Sequence, residues 1–299
     1  MTKEAQPLVS VRVITYNSSK TVVETLDSIY NQTYPNIELI ISDDCSKDDT
    51  VSICRDWVSQ HKERFVRTEI ITVEKNTGVT GNVNRSEEAC QGEWVKGIAG
   101  DDVLMPNCIQ IYMEYVNNHP ETVVLFSRVE CFGGTAERIT FAEKRNRYDF
   151  FSWDIEKQLD FLIFEWNCIP TVTNFYNIQV FRKLGLKCDS RIPLLEDQPR
   201  WLNVLKAGVK MDFIDEVLVR YRISNSSLST QTHFSKPYQR SMAKMFRYYQ
   251  ANAYISRFGY IYTLNHYFEI RCLWSGNALQ WRILYKMSKV LMKFMNIFK

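Results

Sequence analysis

The chain has 299 residues, 45% hydrophobic and 24% charged, with a net charge of +3. That length buries one large core or two smaller ones, and the composition excludes a disordered, repeat or low-complexity chain. The eight cysteines (Cys45, Cys54, Cys90, Cys108, Cys131, Cys168, Cys188, Cys272) form no C-x-x-C pair and the four histidines no H-E-x-x-H site, so reduced thiols are expected instead of zinc ligands or disulfides.

The opening "MTKEAQPLVS" has no apolar core of a signal peptide, and no run of about 18 uncharged apolar residues follows anywhere. A cytoplasmic chain without a spanning helix is the expectation. "LVSVRVITY" is a β-branched run bounded by Pro7 and Asn17-Ser18, and reads as a first strand. Thr21 to Gln32 carries Val22, Val23, Leu26, Ile29 and Tyr30 at helical spacing, with Ser18 or Ser19 as cap. "IELIISDD" is a second strand, Asp48 starts a helix, "TEIITVE" is a third strand, and a helix is predicted from Thr80 to Cys90. Trp94 to Ala99 is a fourth strand that runs into Gly100-Asp101-Asp102. Strands alternating with helices of this length predict an α/β fold with a mostly parallel sheet.

Beyond Pro106 the pattern mixes. Ile109 to Val116 reads as helix, "TVVLFSRVE" as strand and Phe132 to Tyr148 as a polar loop. Trp153 to Phe164 and Glu196 to Lys206 read as helices, and a strand is predicted from Gly208 to Val219. From Lys236 onward there are eleven Lys or Arg and one acid, a charge of +10, which leaves −7 on the first 235 residues. That segment also holds fifteen of the forty aromatics. In "LQWRILYKMSKVLMKFMNIFK", Arg282, Lys286, Lys289 and Lys293 recur on one helical face, opposed by Leu284, Met287, Leu291, Phe294 and Phe298. This predicts an interfacial helix whose cations meet an anionic membrane surface. A helix packed on the body with a solvated basic face has the same pattern. The acidic body and the absence of a recognised motif argue against nucleic acid as the partner.

Three acidic clusters carry the chemistry. Open α/β sheets bind ligands beyond the carboxyl ends of their strands, where Asp43-Asp44 and Asp101-Asp102 both fall. An acid there can accept hydrogen bonds from a nucleobase or ribose, and Tyr16 can cover a base. Asp101-Asp102 can hold a hard divalent ion that grips a diphosphate. Acidic turns that merely end strands look the same. No G-x-G-x-x-G and no P-loop occurs. Glu196-Asp197, at a predicted helix start, suits a general base; the positive helix end lowers its pKa, so partial burial is needed to restore basicity. A plain helix cap is the alternative.

"PLVSVRVITYN", "LDSIYNQTYPNIELIISDDCSKDDT", "NTGVTGNVNRSEEACQGEW" and the Gly-Asp-Asp run resemble family 2 glycosyltransferases of the GT-A fold over roughly residues 7–225. Among these, the chain resembles bacterial enzymes that build O-antigen or capsule repeat units on a lipid carrier. The resemblance implies a nucleotide-sugar half at residues 1–102 and an acceptor half at 103–235, and the basic amphipathic pattern makes 236–299 a separate, membrane-associating helical tail. It implies that Thr15, Tyr16 and Asn17 line a uridine pocket, that Asp44 binds uracil, and that Asn76, Asn84 and Arg85 lie near diphosphate and ribose. The family pattern D-x-D-D meets Ala99-Gly100-Asp101-Asp102 here, so the first acid is missing. Asp101, supported by Asp102, would hold Mn2+ or Mg2+. Asp197 would be the base, with Glu196 orienting. Many relatives carry a His after the Tyr-Arg pair; Ser224 and Asn225 stand here, and Arg222 would neutralise phosphate instead. "QPRW" at Gln198 to Trp201 is one residue short of the Q-x-x-R-W signature of processive synthases.

The function implied is inverting transfer of a hexose, glucose or galactose, from a UDP-sugar to a sugar on polyprenyl diphosphate, on the inner face of the cell membrane. A catalytically decayed nucleotide-sugar-binding scaffold and a peripheral membrane adaptor are the alternatives.

Overall fold

A computed structural model describes residues 6–224, 235–274 and 279–297, with side chains through Cys272 and, in the last helix, through Leu291. Val9–Thr15 (β1), Ile37–Asp43 (β2), Arg67–Thr72 (β3) and Trp94–Ala99 (β4) pair in parallel in the order β3-β2-β1-β4. β1, β2 and β4 are buried on both faces, which is why they read as near-continuous apolar runs. Val22–Tyr30 (α1), Thr50–His61 (α2) and Gly78–Ala89 (α3) make the crossovers.

The sheet then continues with changed polarity. Val103–Leu104 (β5), Cys108–Asn118 (α4), Val124–Phe132 (β6), Ala136–Arg145 (α5), Ile155–Phe164 (α6), Phe175–Asn177 (β7), Ile178–Leu184 (α7), Asp197–Lys206 (α8) and Met211–Arg222 (β8) follow in chain order. β7 pairs antiparallel with both β4 and β6, β6 runs parallel to β8, and β5 closes the edge antiparallel to β8. The eight strands, β3-β2-β1-β4-β7-β6-β8-β5, thus form a mixed sheet. The parallel character predicted from the first four strands holds only for that half and for β6-β8.

One apolar core lies under α1, α2 and α4, where the rings of Trp94, Phe175 and Tyr112 stack at 5.1 and 4.9 Å. The other lies under α6 to α8, around Phe126, Phe150 and Trp201. Each fully buried Val, Leu, Ile or Phe contributes about 1.5–3 kcal/mol of transfer free energy, so these two layers dominate the stability.

Three local expectations need correction. Residues 132–148 are not a polar loop, because α5 occupies most of them. Thr135 accepts from the Arg138 N–H to cap α5, and only Ile139 and Ala142 pack on a small cluster, which leaves the rest of the helix polar. α1 is capped at Thr21, and Ser18 contributes its backbone carbonyl, which accepts from Thr21 and Val22. α2 begins at Thr50; Asp48 accepts from the Thr50 N–H from outside the helix.

The basic segment is helical, as its pattern predicts. Lys236–Met245 (α9), a π-turn at Phe246–Gln250, Ala251–Phe258 (α10), Tyr260–Trp274 (α11) and Leu279–Ile297 (α12) follow one another. Residues 236–258 dock on the body: Gln250 donates to the Ile163 carbonyl at 2.8 Å, Tyr254 to that of Phe164 at 3.1 Å, and Met245 enters the second core. α11 and α12 form an antiparallel pair joined by Tyr285 to Glu269 and Ser288 to Asn265. Leu284 sits half-buried near that seam, so the exposed apolar stripe runs instead through Leu279, Ile283, Met287, Val290 and Leu291. Arg282, Lys286 and Lys289 flank it. The side chains of Lys293 and Phe294, and all of Phe298, lie outside the described residues. Among the described residues no helix is long and apolar enough to cross a membrane.

Candidate active site

The loops after β1 and β2 are clasped together. Asn17 and Cys45, both at positive φ (52° and 68°), turn these loops over the strand ends. The Asn17 N–H donates to Ser46 at 2.8 Å, and its side-chain oxygen accepts from the Lys47 N–H at 2.8 Å. Thr15 donates to Asp43 at 2.8 Å, and Tyr16 stays half exposed at the lip. Asp44 is buried and accepts from the Thr77 and Gly78 N–H groups at 3.0 and 2.8 Å. It therefore caps α3 across the sheet, where the helix N-terminus favours an anion. Gly78 has φ +82°, and a Cβ there would meet the Pro193 carbonyl at 2.5 Å, so only glycine lets this helix start against the 193 loop.

Arg85 pairs with Asp44 at 3.2 Å and donates to Ser42 at 3.0 Å. Asn76 is exposed beside them and accepts from the Gly78 N–H. Asn84 faces elsewhere. Its amide donates to the Cys188 carbonyl at 2.9 Å and accepts from the Cys188 N–H at 3.0 Å. It ties α3 to the loop before α8, a structural duty that the expected diphosphate contact does not describe.

Gly100 is packed against the end of β1, where a Cβ would meet Thr15 at 2.8 Å. Asp101 and Asp102 beyond it line a cleft of about 470 Å³, and so do Glu196 and Asp197 from the far wall. The fold thus brings two acid pairs, 95 residues apart in the chain, into one cavity. Asp102 accepts from the Arg222 N–H at 2.8 Å, and the Arg222 guanidinium donates to the Asp101 carbonyl at 2.8 Å and to Glu24. Burial raises the pKa of both Asp101 and Asp102, and for Asp102 the neighbouring Asp101 charge adds to the rise. Among the described residues neither carboxylate has an ion-pair partner, and no group of three His, Cys, Asp or Glu forms a metal cage. Two adjacent, desolvated acids fit an ion that takes one or two carboxylates and completes its shell with phosphate oxygens and water. Of Ser224 and Asn225, which stand shortly after the Tyr-Arg pair, Ser224 lines the cleft and Asn225 lies outside the described residues.

Glu196 and Asp197 sit half-buried at the start of α8. Asp197 accepts from Asn167 at 2.6 Å and from the Gln198 N–H at 2.7 Å, which fixes its carboxylate. Desolvation, then the Asp197 charge, push Glu196 up to about 7, and desolvation also raises Asp197. The helix end alone would do the opposite. Adjacent carboxyls whose proton affinity is raised by burial are poised for proton transfer.

Behind the cleft lies a set of residues that the motifs did not reveal. Glu87 accepts from Arg200 at 2.6 Å and from the Tyr176 hydroxyl at 2.5 Å, with Arg12 at 3.6 Å. Arg12 and Arg200 line the cleft with Asn174; among the described residues the Arg200 Nε and the Asn174 side-chain oxygen find no hydrogen-bond partner. Arg200 belongs to "QPRW", where Gln198 donates to the Leu162 carbonyl and Trp201 to Thr171, so the run anchors α8. The available signal was a charge inside an apolar strand, Arg12 in "VSVRVIT".

The sheet changes polarity after β4, and two acid pairs line one cleft beyond it, the GT-A-like α/β arrangement that the sequence led one to expect. Two solved structures share the fold: Staphylococcus aureus TarS 1–349 with UDP-GlcNAc (TM-score 0.64, 16% identity, 88% of this chain and 81% of that one), and the mannosyltransferase PcManGT from Pyrobaculum calidifontis with GDP-Man and Mn2+ (TM-score 0.59, 17% identity, 96% and 86%). The model described as Glycosyl transferase family 2 matches residues 10–181, and the chain belongs to that family. It is 26% identical over 228 residues to the Bacillus subtilis (strain 168) glycosyltransferase TuaG, named for teichuronic acid biosynthesis, covering 75% of this chain and 82% of that one. Against chondroitin synthase from Escherichia coli it is 32% identical over 109 residues, 36% of this chain and 15% of that one.

Proposed function

We propose that this chain is a metal-dependent, inverting hexosyltransferase of polysaccharide biosynthesis that moves glucose or galactose from a UDP-sugar to a sugar carried on polyprenyl diphosphate. The observation that carries the reading is the placement of Asp101-Asp102 and Glu196-Asp197 on one cleft. Thr15, Tyr16, Asn17 and Asp44 hold uridine at the strand ends, with Asn76 and Arg85 beside it. Asp197 accepts the acceptor hydroxyl proton. That oxygen bonds to the anomeric carbon from one face as the bond to the diphosphate breaks on the other, and the electron pair leaves with UDP. Glu196 orients the acceptor and shares the pair's charge. Mn2+ or Mg2+ held by Asp101 and Asp102 would neutralise the departing diphosphate; the Mn2+ bound in the mannosyltransferase neighbour supports this cofactor. Arg222, between the two acids, adds positive charge. The UDP-GlcNAc bound by TarS supports a uridine donor.

The exposed stripe of α12 with its flanking Arg282, Lys286 and Lys289 supports peripheral attachment to an anionic bilayer on the cytoplasmic side. Teichuronic acid in one relative's name supports a cell-surface polysaccharide as product, and O-antigen or capsule is the class proposed.

A donor screen for UDP release tests the reading, with UDP-glucose, UDP-galactose, UDP-GlcNAc and GDP-mannose, and with a polyprenyl-diphosphate-linked sugar as acceptor. Release from one UDP-hexose, dependent on the acceptor, is the expected result; release from none overturns it. Excess chelator is expected to stop turnover, and Asp101→Asn to lower kcat/KM about 10²-fold or more; full activity in chelator rejects the metal. The pH profile gives a third check. The base works deprotonated and burial raises the proton affinity of both acids, so kcat is expected to rise with pH along a limb displaced upward from the ordinary carboxylate range. Glu196→Gln is expected to move that limb to lower pH, and an unmoved limb rejects the pair.

A further inference from the structure

A second concavity, of about 530 Å³, lies among the C-terminal helices. Phe246, Ala251, Ile255, Tyr260, Leu264 and Tyr267 form its apolar lining, and Ile255 and Tyr260 remain 37% and 67% exposed. Concave apolar surface of this kind is where apolar ligands bind. Lys244 and Arg247 are its charged lining residues, and among the described residues no acid lines it.

α9 runs from the neighbourhood of the cleft acids to the groove. Tyr238, near the start of that helix, is within electrostatic reach of Asp197 and Glu196. Lys244, six residues on and so about 9 Å along the axis, donates to the Arg191 carbonyl at 2.8 Å. The Arg191 guanidinium lies 4.4 Å over the ring of Tyr248, which lines the groove, while Cys188, three residues before Arg191, lines the cleft. Carboxylates, Lys244 beside the Arg191–Asp189 ion pair, and an apolar groove edged by Arg247 therefore follow one another in space. A sugar, a diphosphate and an isoprenoid follow one another in the same order in the acceptor.

We propose that this groove seats the first isoprenoid units of the acceptor's lipid carrier, with Lys244 and Arg247 holding its diphosphate. The inference rests on the acceptor proposed above and adds the place where its lipid binds. Charge complementarity selects this occupant: a neutral lipid or a plain apolar peptide would leave the two cations unanswered.

The test is direct binding to the full chain, by calorimetry, of geranylgeranyl diphosphate, inorganic diphosphate and UDP. Geranylgeranyl diphosphate is expected to saturate one site at least about tenfold more tightly than inorganic diphosphate, the gain from burying a few isoprenoid carbons. Ala251→Trp, which fills the groove, and Ile255→Glu, which charges it, are expected to remove that advantage. Lys244→Ala with Arg247→Ala is expected to weaken both diphosphates. UDP affinity is expected to stay constant throughout, which also reports that each variant is folded; if Ile255→Glu fails to fold, Ile255→Ala is expected to show a smaller loss of the same kind. Equal affinity for the two diphosphates, or variants that bind as the parent does, overturns the proposal. Displacement of geranylgeranyl diphosphate by phosphatidylcholine vesicles overturns it too, by making the groove a bilayer contact. A chain that binds geranylgeranyl diphosphate but turns over no UDP-sugar would refute the proposed transfer and leave the groove standing.

Discussion

Asp197→Asn is expected to lower sugar transfer by about 10²–10⁴-fold, the range for removing a general base, while UDP affinity is unchanged. The carboxylate is held by Asn167 at 2.6 Å and by the Gln198 N–H at 2.7 Å, so its direction into the cleft is set before any substrate arrives. An amide keeps an acceptor for Gln198 but cannot take a proton, and its NH2 group confronts that of Asn167. Glu196→Gln is expected to cost much less in kcat, because Glu196 shares charge with the pair without taking the proton. Steady-state rates with a saturating donor, read beside UDP titrations, separate the two substitutions. A near-normal rate for Asp197→Asn would remove it as base, and the opposite ranking would transfer the role to Glu196.

Glu87→Gln is expected to destabilise the fold by about 3–5 kcal/mol, the usual cost of breaking a buried ion pair from one side. The Glu87 and Arg200 side chains are 8% and 3% exposed, so water cannot replace the lost charge. Burial alone would raise the Glu87 pKa, yet Arg200 and Arg12 outweigh it and hold the carboxyl below its ordinary value. A depressed carboxylate pKa stabilises the fold above the unfolded value, and that stability is lost as pH falls through the folded value. Glu87→Gln is therefore expected to flatten the acid limb of a stability curve. Adding Arg200→Met to Glu87→Leu is expected to recover part of the loss, since the second change removes a charge that the first left stranded. Urea melts across pH measure both effects. A loss below about 1 kcal/mol, the size of an exposed pair, would place this network in water.

The first four strands and their crossover helices were legible because their physics is local. Apolar runs such as those around Val9 and Ile37 specify buried strands, and the helical spacing from Val22 to Ile29 specifies the cover. Asp101-Asp102 could be singled out at the carboxyl end of a buried strand and Glu196-Asp197 at a predicted helix start. What the sequence did not carry is pairing at a distance. Phe175–Asn177 is three residues long, too short for a periodic signal, yet β7 turns a parallel sheet into a mixed one. α5 hid because one narrow stripe touches the body, and its polarity matches a loop. The tail's composition showed helix and charge, but only the contacts of Met245, Gln250 and Tyr254 show that residues 236–258 pack on α6 and the second core. Glu87 looked like one more helix acid until Arg12, Tyr176 and Arg200, from three other elements, met around it.

That meeting bears on modularity. The proposed donor and acceptor halves are contiguous in the chain and look exchangeable, as if new specificities could arise by recombining one half with another. Cutting after Asp102 would strip β4 of its partner Phe175–Asn177 and leave Glu87 with Arg12 but without Arg200 and Tyr176. Neither half is a transplantable unit. Descent within such a scaffold is confined to editing loops and rims around a joint that has to be inherited whole.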